Sequence, residues 1–525
     1  MTVSNWMHVG TVLKMNAKNY PNALGWQDKN QEYSFQEWNT RACQLANGLS
    51  ELGIGHRDTL AIISYNRGEW MDFYAACAKG GQVVVPVMFR LAGPEIEFIV
   101  NHSQCKGFLV EEPFVELINS IRDRLNIPDG NFIYIGQGET PPGYINYEQL
   151  LQRSSDQEPA AEVDSKDPWT IMYTSGTTGK PKGVVKSHES YMAEYYLNNI
   201  NMGVLPSDKI MLVMPMCHVN SIYYSFAYTL LTAPVFIYNA SSFDSEDLLA
   251  CIERYQITFT SLVPTHYVML LALDESTRSK YDVSSIRQLL ISSAPARKDL
   301  KLKIMDYFQN AELWEAYGST EGGLVTLLRP HEQFEKLGSI GREIFGTDRI
   351  KILDENRNEV PDNEVGEIFY RTPMLFDEYF QEPEKTRAAF ANGWSSAGDM
   401  GYRDRDGYYY LVDRKANMII TGGENVYPSE VENALGLHEA VKDVAVIGIP
   451  HEKWGEEVKA CIVLHSGFEP SEDLAREITA HCRKQLAGYK CPKSIDFISD
   501  EDMPRTPTGK LLHRELRQKY SLGDD

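Results

Sequence analysis

The feature that most constrains this fold is a rhythm. The β-rich runs DTLAIIS (58–64), QVVVPVM (82–88), KGFLV (106–110), KIMLVMP (209–215), PVFIY (234–238), TFTSLV (258–263) and QLLISS (288–293) are separated by stretches of helical periodicity. A parallel connection has to cross the face of the sheet, and a helix makes the crossing while covering that face. The rhythm therefore predicts an α/β chain with mainly parallel, helix-covered sheets. One helix is legible in detail: Ser34 caps a segment in which Phe35, Trp38, Ala42, Leu45, Leu49 and Leu52 recur at near-helical spacing. After about residue 340 the texture changes. DRIKILDENRNEVPDNEVGEIFYR (348–371) and GYYYLVDRKANMIITG (407–422) read as short strands joined by Asn, Asp and Gly turns, a small antiparallel β subdomain. From Pro428 onward a helix, strand, loop, strand order returns, which suits a compact C-terminal α/β domain.

Whole-chain properties narrow the function. With 525 residues the chain exceeds one core and should form several domains. A net charge of −22 argues against a nucleic-acid partner, for which a basic excess is needed. The eight cysteines lack paired metal spacing and fit free thiols in a reducing compartment. No run approaches the ~18 apolar residues of a membrane helix, and MTVSNWMHVGTVLKMNAKNYPNALGW has no signal-like apolar core. The expectation is a cytoplasmic enzyme without a transmembrane segment, monomeric or homodimeric.

The stretch YTSGTTGKPKG (173–183) is the densest chemical signal. Its glycines let the backbone come close to a ligand while hydroxyls and amides aim donors inward, an oxyanion cradle suited to phosphate. A Walker loop needs four residues between its first Gly and the Gly-Lys-Ser/Thr end. Here two residues separate Gly176 from Gly179, and Pro181 follows Lys180. WEAYGSTEGG (314–323) supplies Tyr317 for stacking, Thr320 for a phosphate oxygen and Glu321 as a hard oxygen ligand for Mg²⁺. GWSSAGDMG offers Asp399, a carboxylate that can grip two ribose hydroxyls. Arg414, the Gly422–Gly423 turn and Lys510 on a Thr-Gly turn complete the set.

Together and in this order, these fragments resemble the adenylate-forming superfamily of acyl-CoA synthetases, along nearly the whole chain. The resemblance implies that a carboxylic acid is joined to AMP with release of pyrophosphate and then passed to the thiol of coenzyme A. It implies ATP and Mg²⁺ as well. Thr174, Ser175, Gly176, Thr177, Thr178, Gly179 and Lys182 would hold the β- and γ-phosphates. Ser293, Ala294 and Pro295, with Glu315, Ala316 and Tyr317, would form the adenine slot. Thr320 would touch the α-phosphate, Glu321 the metal, and Asp399 and Arg414 the ribose. Lys510 would bridge the acid and the α-phosphate. His218, Val219, Asn220, Tyr223, Trp314 and Gly318 would line the acyl pocket, and Gly422, Gly423 and Asn425 the tunnel for the thiol arm. The implied domains are a large N-terminal domain (1–413, its β subdomain at about 340–413), a hinge at 414–416 and a mobile C-terminal domain (417–525).

Two positions depart from the family pattern. The hinge, usually Lys or Asp, is Ala416 unless Lys415 takes its place, and Ala397 precedes Gly398 where a hydroxyl is usual. The pocket walls, 219–224, 263–267 and 314–318, mix apolar and aromatic residues with few charges, which favours a hydrophobic acid: medium-chain fatty, aromatic or alicyclic. A stand-alone adenylation enzyme that loads a carrier protein, and a nucleotide-binding protein without turnover, remain as alternatives.

Overall fold

A computed structural model describes residues 7–174, 181–293, 296–415, 417–421, 424–451, 453–505 and 511–521, the side chains of Arg414 and Ser521 apart. The chain divides into two compact units: Met1–Ile350 with Tyr370–Ser395, and Lys351–Phe369 with Ser396–Asp525.

Among the described residues, the first unit holds two large sheets. One has nine strands, with Leu24–Gln27, Val235–Ile237, Ile210–Leu212, Phe259–Leu262, Gln288–Ile291 and Glu312–Ser319 running parallel as neighbours. Antiparallel strands close its edges, Gly323–Leu328 and Arg342–Glu343 on one side and Glu32–Ser34 on the other. The second has eight strands and a parallel centre of Phe132–Ile135, Gly107–Glu111, Thr59–Ile63, Val83–Val87 and Pro168–Thr174. Each β-rich run named above became a strand. Pro86 sits inside one of them, and that strand meets Pro168–Thr174 in register only at Val84 and Thr170. A residue without an N–H can be carried where the ladder is this short.

Helices fill the space between the sheets. Val9–Asn19, Phe35–Glu51, Glu69–Gly80, His188–Met202 and Val219–Leu230 share one buried apolar cluster with Leu60, Ile62 and Val84 of one sheet and Ile210, Val235 and Phe259 of the other. Ser34 caps its helix as expected: its hydroxyl accepts the Glu37 N–H at 3.3 Å, and the Glu37 carboxylate accepts the Ser34 N–H at 2.8 Å.

In the second unit, Lys351–Leu353, Gly366–Phe369, Asp399–Arg403 and Tyr409–Arg414 form an antiparallel four-stranded sheet, the small β subdomain. It belongs to the same compact unit as the C-terminal residues. A second sheet is built on the long antiparallel pair Val441–His451 and Gly455–Leu464. All eight cysteines are free and buried. No helix among the described residues is long and apolar enough to cross a membrane.

Candidate active site

In the first unit, strand Pro168–Thr174 turns back antiparallel into Lys182–Ser187, with Thr174 opposite Lys182 and Tyr173 opposite Gly183. This pairing brings together the two ends of the glycine-rich stretch. Ser175, Gly176, Thr177, Thr178 and Gly179 lie outside the described residues, as do Ala294, Pro295, Ala416, Gly422, Gly423 and Lys510. The Lys182 ammonium stands over the ring of Tyr379, 4.0 Å from its centroid, and the Tyr379 hydroxyl donates to Glu321 Oε1 at 2.8 Å. Residues 182 and 321, far apart in sequence, thus meet across one tyrosine.

Thr320 and Glu321 occupy the tip of an antiparallel hairpin between Glu312–Ser319 and Gly323–Leu328. The tip is held by side chains. Ser319 Oγ accepts the Gly322 N–H at 2.9 Å and lies 2.7 Å from the Tyr370 hydroxyl, while the Phe376 N–H donates to the Glu321 carbonyl at 2.7 Å. Gly323 has φ +68°, and a Cβ there would stand 2.0 Å from Glu194 Oε2, so glycine is required on two counts. Glu321 is buried, and its Oε2 accepts no hydrogen bond from the described residues. A hard oxygen linked through Tyr379 to Lys182 would fit Mg²⁺, which takes one or two carboxylates and completes its shell with phosphate oxygens and water.

The strand that leads to this tip carries the expected adenine residues. Tyr317 and Trp314 are buried, and Gly318 is exposed. The Glu315 carboxylate is committed elsewhere: Lys301 Nζ approaches it to 2.6 Å, and both groups are buried. Burial pushes the Glu315 carboxyl up, against the pull of Lys301. Its carboxylate is therefore held by a partner within the fold. Ser293 is exposed and has φ +70°, a conformation a non-glycine residue holds at a cost, and such residues gather at ligand sites.

Of the expected acyl-pocket residues, His218 caps the helix Val219–Leu230, with Nδ1 accepting the Asn220 N–H at 3.2 Å. The Asn220 amide donates to Ser261 Oγ at 2.9 Å and Ser292 Oγ at 2.8 Å, which ties the helix start to the ends of two parallel strands. Val219 and Tyr223 are buried.

Sequence reasoning missed two charges behind this wall. Lys186 and Glu194 are fully buried, with Nζ and Oε2 4.0 Å apart. Burial drives both toward their neutral forms, the lysine pKa down and the glutamate pKa up, and the attraction between them opposes both shifts. The available signal was a lysine at an inward position of the apolar run 183–187. Tyr379 had no signal, because its role depends on where the chain returns.

In the second unit, Asp399 and Arg414 are register partners on adjacent strands, so the two residues expected at the ribose share one ladder position. Asp399 is buried. Asp413 accepts from Asn417 Nδ2 at 3.1 Å and from the Ser429 N–H at 3.0 Å. The Lys415 N–H donates to the Gly398 carbonyl at 2.9 Å, and its ammonium pairs with Glu367 at 3.0 Å. Asn425 is exposed on the strand Glu424–Val426. Among the described residues no three potential metal ligands cluster.

Comparison with known proteins identifies the family. Residues 13–380 match the family model of the AMP-binding enzymes, and residues 430–510 that of the AMP-binding enzyme C-terminal domain. The chain is 34% identical over 524 residues to the long-chain-fatty-acid–CoA ligase FadD13 of Mycobacterium tuberculosis, covering 98% of this chain and 99% of that protein. It is 32% identical over 506 residues to a feruloyl-CoA synthase of Amycolatopsis, covering 96% and 97%. The crystal structure of the anthranilate CoA ligase AuaEII with anthranoyl-AMP superposes with a TM-score of 0.89 at 27% identity, over 98% of both chains. The chain belongs to the AMP-binding enzyme family, as an adenylate-forming enzyme of the acyl-CoA synthetase type.

Proposed function

We propose that this acyl-CoA ligase activates a hydrophobic carboxylic acid, medium-chain fatty, aromatic or alicyclic, and that it works in the cytoplasm as a monomer or homodimer. The observation that carries the adenylation site is the meeting of Lys182 and Glu321 across Tyr379. It sets a cation from the glycine-rich stretch and a buried carboxylate from the Thr320–Glu321 tip within one tyrosine of each other. The acid class rests on the buried apolar and aromatic wall of Val219, Tyr223 and Trp314. The named relatives act on long-chain fatty acids, ferulate and anthranilate, acids that share an apolar body.

In the first half-reaction an acid oxygen attacks the α-phosphorus of ATP, and the bond to the bridging oxygen breaks with pyrophosphate leaving. Thr174, Lys182 and the loop 175–179 hold the departing phosphates, Thr320 meets the α-phosphate, and Lys510 spans the α-phosphate and the attacking carboxylate. Donors placed where charge develops act without reorganising, which is the largest single source of catalysis in such sites. Mg²⁺ held by Glu321 would neutralise phosphate charge. Tyr317 stacks on the adenine beside Ser293, and Asp399 with Arg414 takes the ribose. In the second half-reaction the thiol sulfur of coenzyme A attacks the acyl carbon, AMP leaves with the bonding pair, and the thiol proton passes to solvent. Gly422, Gly423 and Asn425 line the thiol path after the C-terminal domain turns about residues 414–416.

The test is AMP release from ATP and Mg²⁺ with short, medium, aromatic and alicyclic acids, with and without coenzyme A, for wild type and Lys510→Ala. The expected result is acid-dependent AMP that rises with coenzyme A and falls about 10²- to 10³-fold in the variant. Adenylate formation indifferent to coenzyme A would assign a carrier protein as acceptor, and nucleotide binding without turnover would assign a binding protein.

A further inference from the structure

The buried pair Lys186–Glu194 has no place in the chemistry above, and its geometry is not that of a bond made for stability. At 4.0 Å the two charges do not hydrogen-bond each other, and among the described residues Glu194 Oε2 has no hydrogen-bond partner of good geometry. A buried ion pair that gives up its mutual hydrogen bond keeps its desolvation cost and forfeits part of its return. What both groups do is reach outward to one target. Lys186 Nζ donates to the Tyr223 hydroxyl at 3.2 Å, and that hydroxyl lies 3.3 Å from the Ser319 carbonyl and 3.4 Å from the Thr320 carbonyl. Glu194 Oε1 accepts the Leu324 N–H at 3.1 Å, and its other oxygen packs on the bare Cα of Gly323. Residues 319–324 are thereby gripped on both sides of Thr320 and Glu321.

The grip is needed at this place. Register slips between Tyr317 and Gly318, so the ladder of the hairpin is irregular just before its tip and does not by itself locate residues 320 and 321. Lys186 also lies four positions beyond Lys182 on a single strand, and Glu194 is on the helix that follows it. The contacts therefore couple the strand that leaves the glycine-rich stretch to the tip that carries the carboxylate. The rings of Tyr191 and Tyr223, 5.0 and 4.8 Å from the ammonium, fix where it sits.

We propose that Lys186 and Glu194 are positioning residues for acyl-adenylate formation: through Tyr223 and the Leu324 amide they set Thr320 and Glu321 in line with the phosphate-holding strand. This rests on the adenylation reading of the site. Displacement of such a group by about 1 Å costs on the order of 10²-fold in rate, while binding contacts elsewhere are untouched.

The test separates the half-reactions in the full-length protein. Acid-dependent exchange of pyrophosphate into ATP reads adenylation, and acyl-CoA formed from supplied acyl-adenylate reads the thiol step. Lys186→Met with Glu194→Gln removes both charges together, so that neither is left alone in the core. Tyr223→Phe cuts the link without touching the pair. The expected result for both is an exchange kcat lower by about 10- to 100-fold with a thiol step within about twofold, and for the charge-removed variant, which alters no residue of the pocket wall, an acid KM within about threefold of wild type. Combining them should lower exchange little further, because they break one chain of contacts. An unchanged exchange kcat in the folded charge-removed variant would overturn the proposal. So would a loss confined to acid KM, which would make the pair part of the pocket wall, or equal losses in both half-reactions, which would make it purely structural. Absence of acid-dependent exchange in wild type would instead sink the adenylation reading itself.

Discussion

At the scale of single residues, Glu321 is the position where chemistry and packing meet. One carboxylate oxygen is held by Tyr379 and the other accepts no hydrogen bond from the described residues, so on the proposed reading orientation and ligation are divided between the two. Glu321→Gln should lower AMP formation about 10²-fold and raise the Mg²⁺ concentration needed for half-maximal rate, whereas Tyr379→Phe should keep the Mg²⁺ dependence and lose less than about tenfold. Initial rates against Mg²⁺ decide it, and an unchanged Mg²⁺ dependence in Glu321→Gln would remove the residue from the metal site. Thr320, Glu321, Lys182 and Asp399 could be nominated from the sequence because each stands in a short motif whose residue types match a task. Tyr379 was not legible, because it lies 58 residues beyond its partner and is joined to it by the fold alone. Glu315 shows the opposite case: a residue in the right motif whose carboxylate is turned to Lys301, a partner no local pattern announces.

At the scale of elements, local signals were enough where the element is local. The helix Phe35–Glu51 could be placed from Ser34 and the spacing of its buried face, and the fold adds Glu37 to the cap. Ser34→Ala should cost about 1 kcal/mol in denaturant unfolding of the first unit, because it leaves a first-turn N–H without its acceptor, with no change in turnover. A change in kcat would mean that the cap reaches the site. The parallel strands were equally readable as apolar runs. The strand Glu312–Ser319 was harder: it reads as a motif, since half its residues are those a ligand would want. Register lies beyond what a run can show, and the pairing of Asp399 with Arg414 across a ladder that slips between Met400 and Gly401 needed coordinates.

At the scale of the whole molecule, buried titratable groups pull in opposing senses. His8 is held down at about 4, by burial first and then by Lys79, and His188 is held well below the usual histidine value, chiefly by burial and then by His8. An unfolded histidine protonates as pH falls through about 6.5, but these stay neutral in the fold, so their stabilisation is full above that value and drains as pH drops toward 4. Asp72, raised by burial to about 6, and Glu194, also raised by burial, work the other way, gaining stability as pH falls. The difference between wild type and His8→Asn isolates one contribution. Between pH 6.5 and 4.5 the variant should gain on the order of 1–2 kcal/mol relative to wild type, read from denaturation midpoints at fixed ionic strength. A constant difference across that range would show that His8 titrates normally in the fold. The buried cysteines carry a different consequence. Cys43, Cys77, Cys105, Cys217 and Cys251 lie in one unit and Cys461, Cys482 and Cys491 in the other, and burial raises the thiols of Cys105 and Cys217 to about 12. A thiol that is both covered and protonated is nearly inert to alkylation, so each label acquired records an opening of the chain around it. Peptide-resolved alkylation, with and without ATP and acid, would therefore clock the breathing of the two units separately, using reporters the chain already contains.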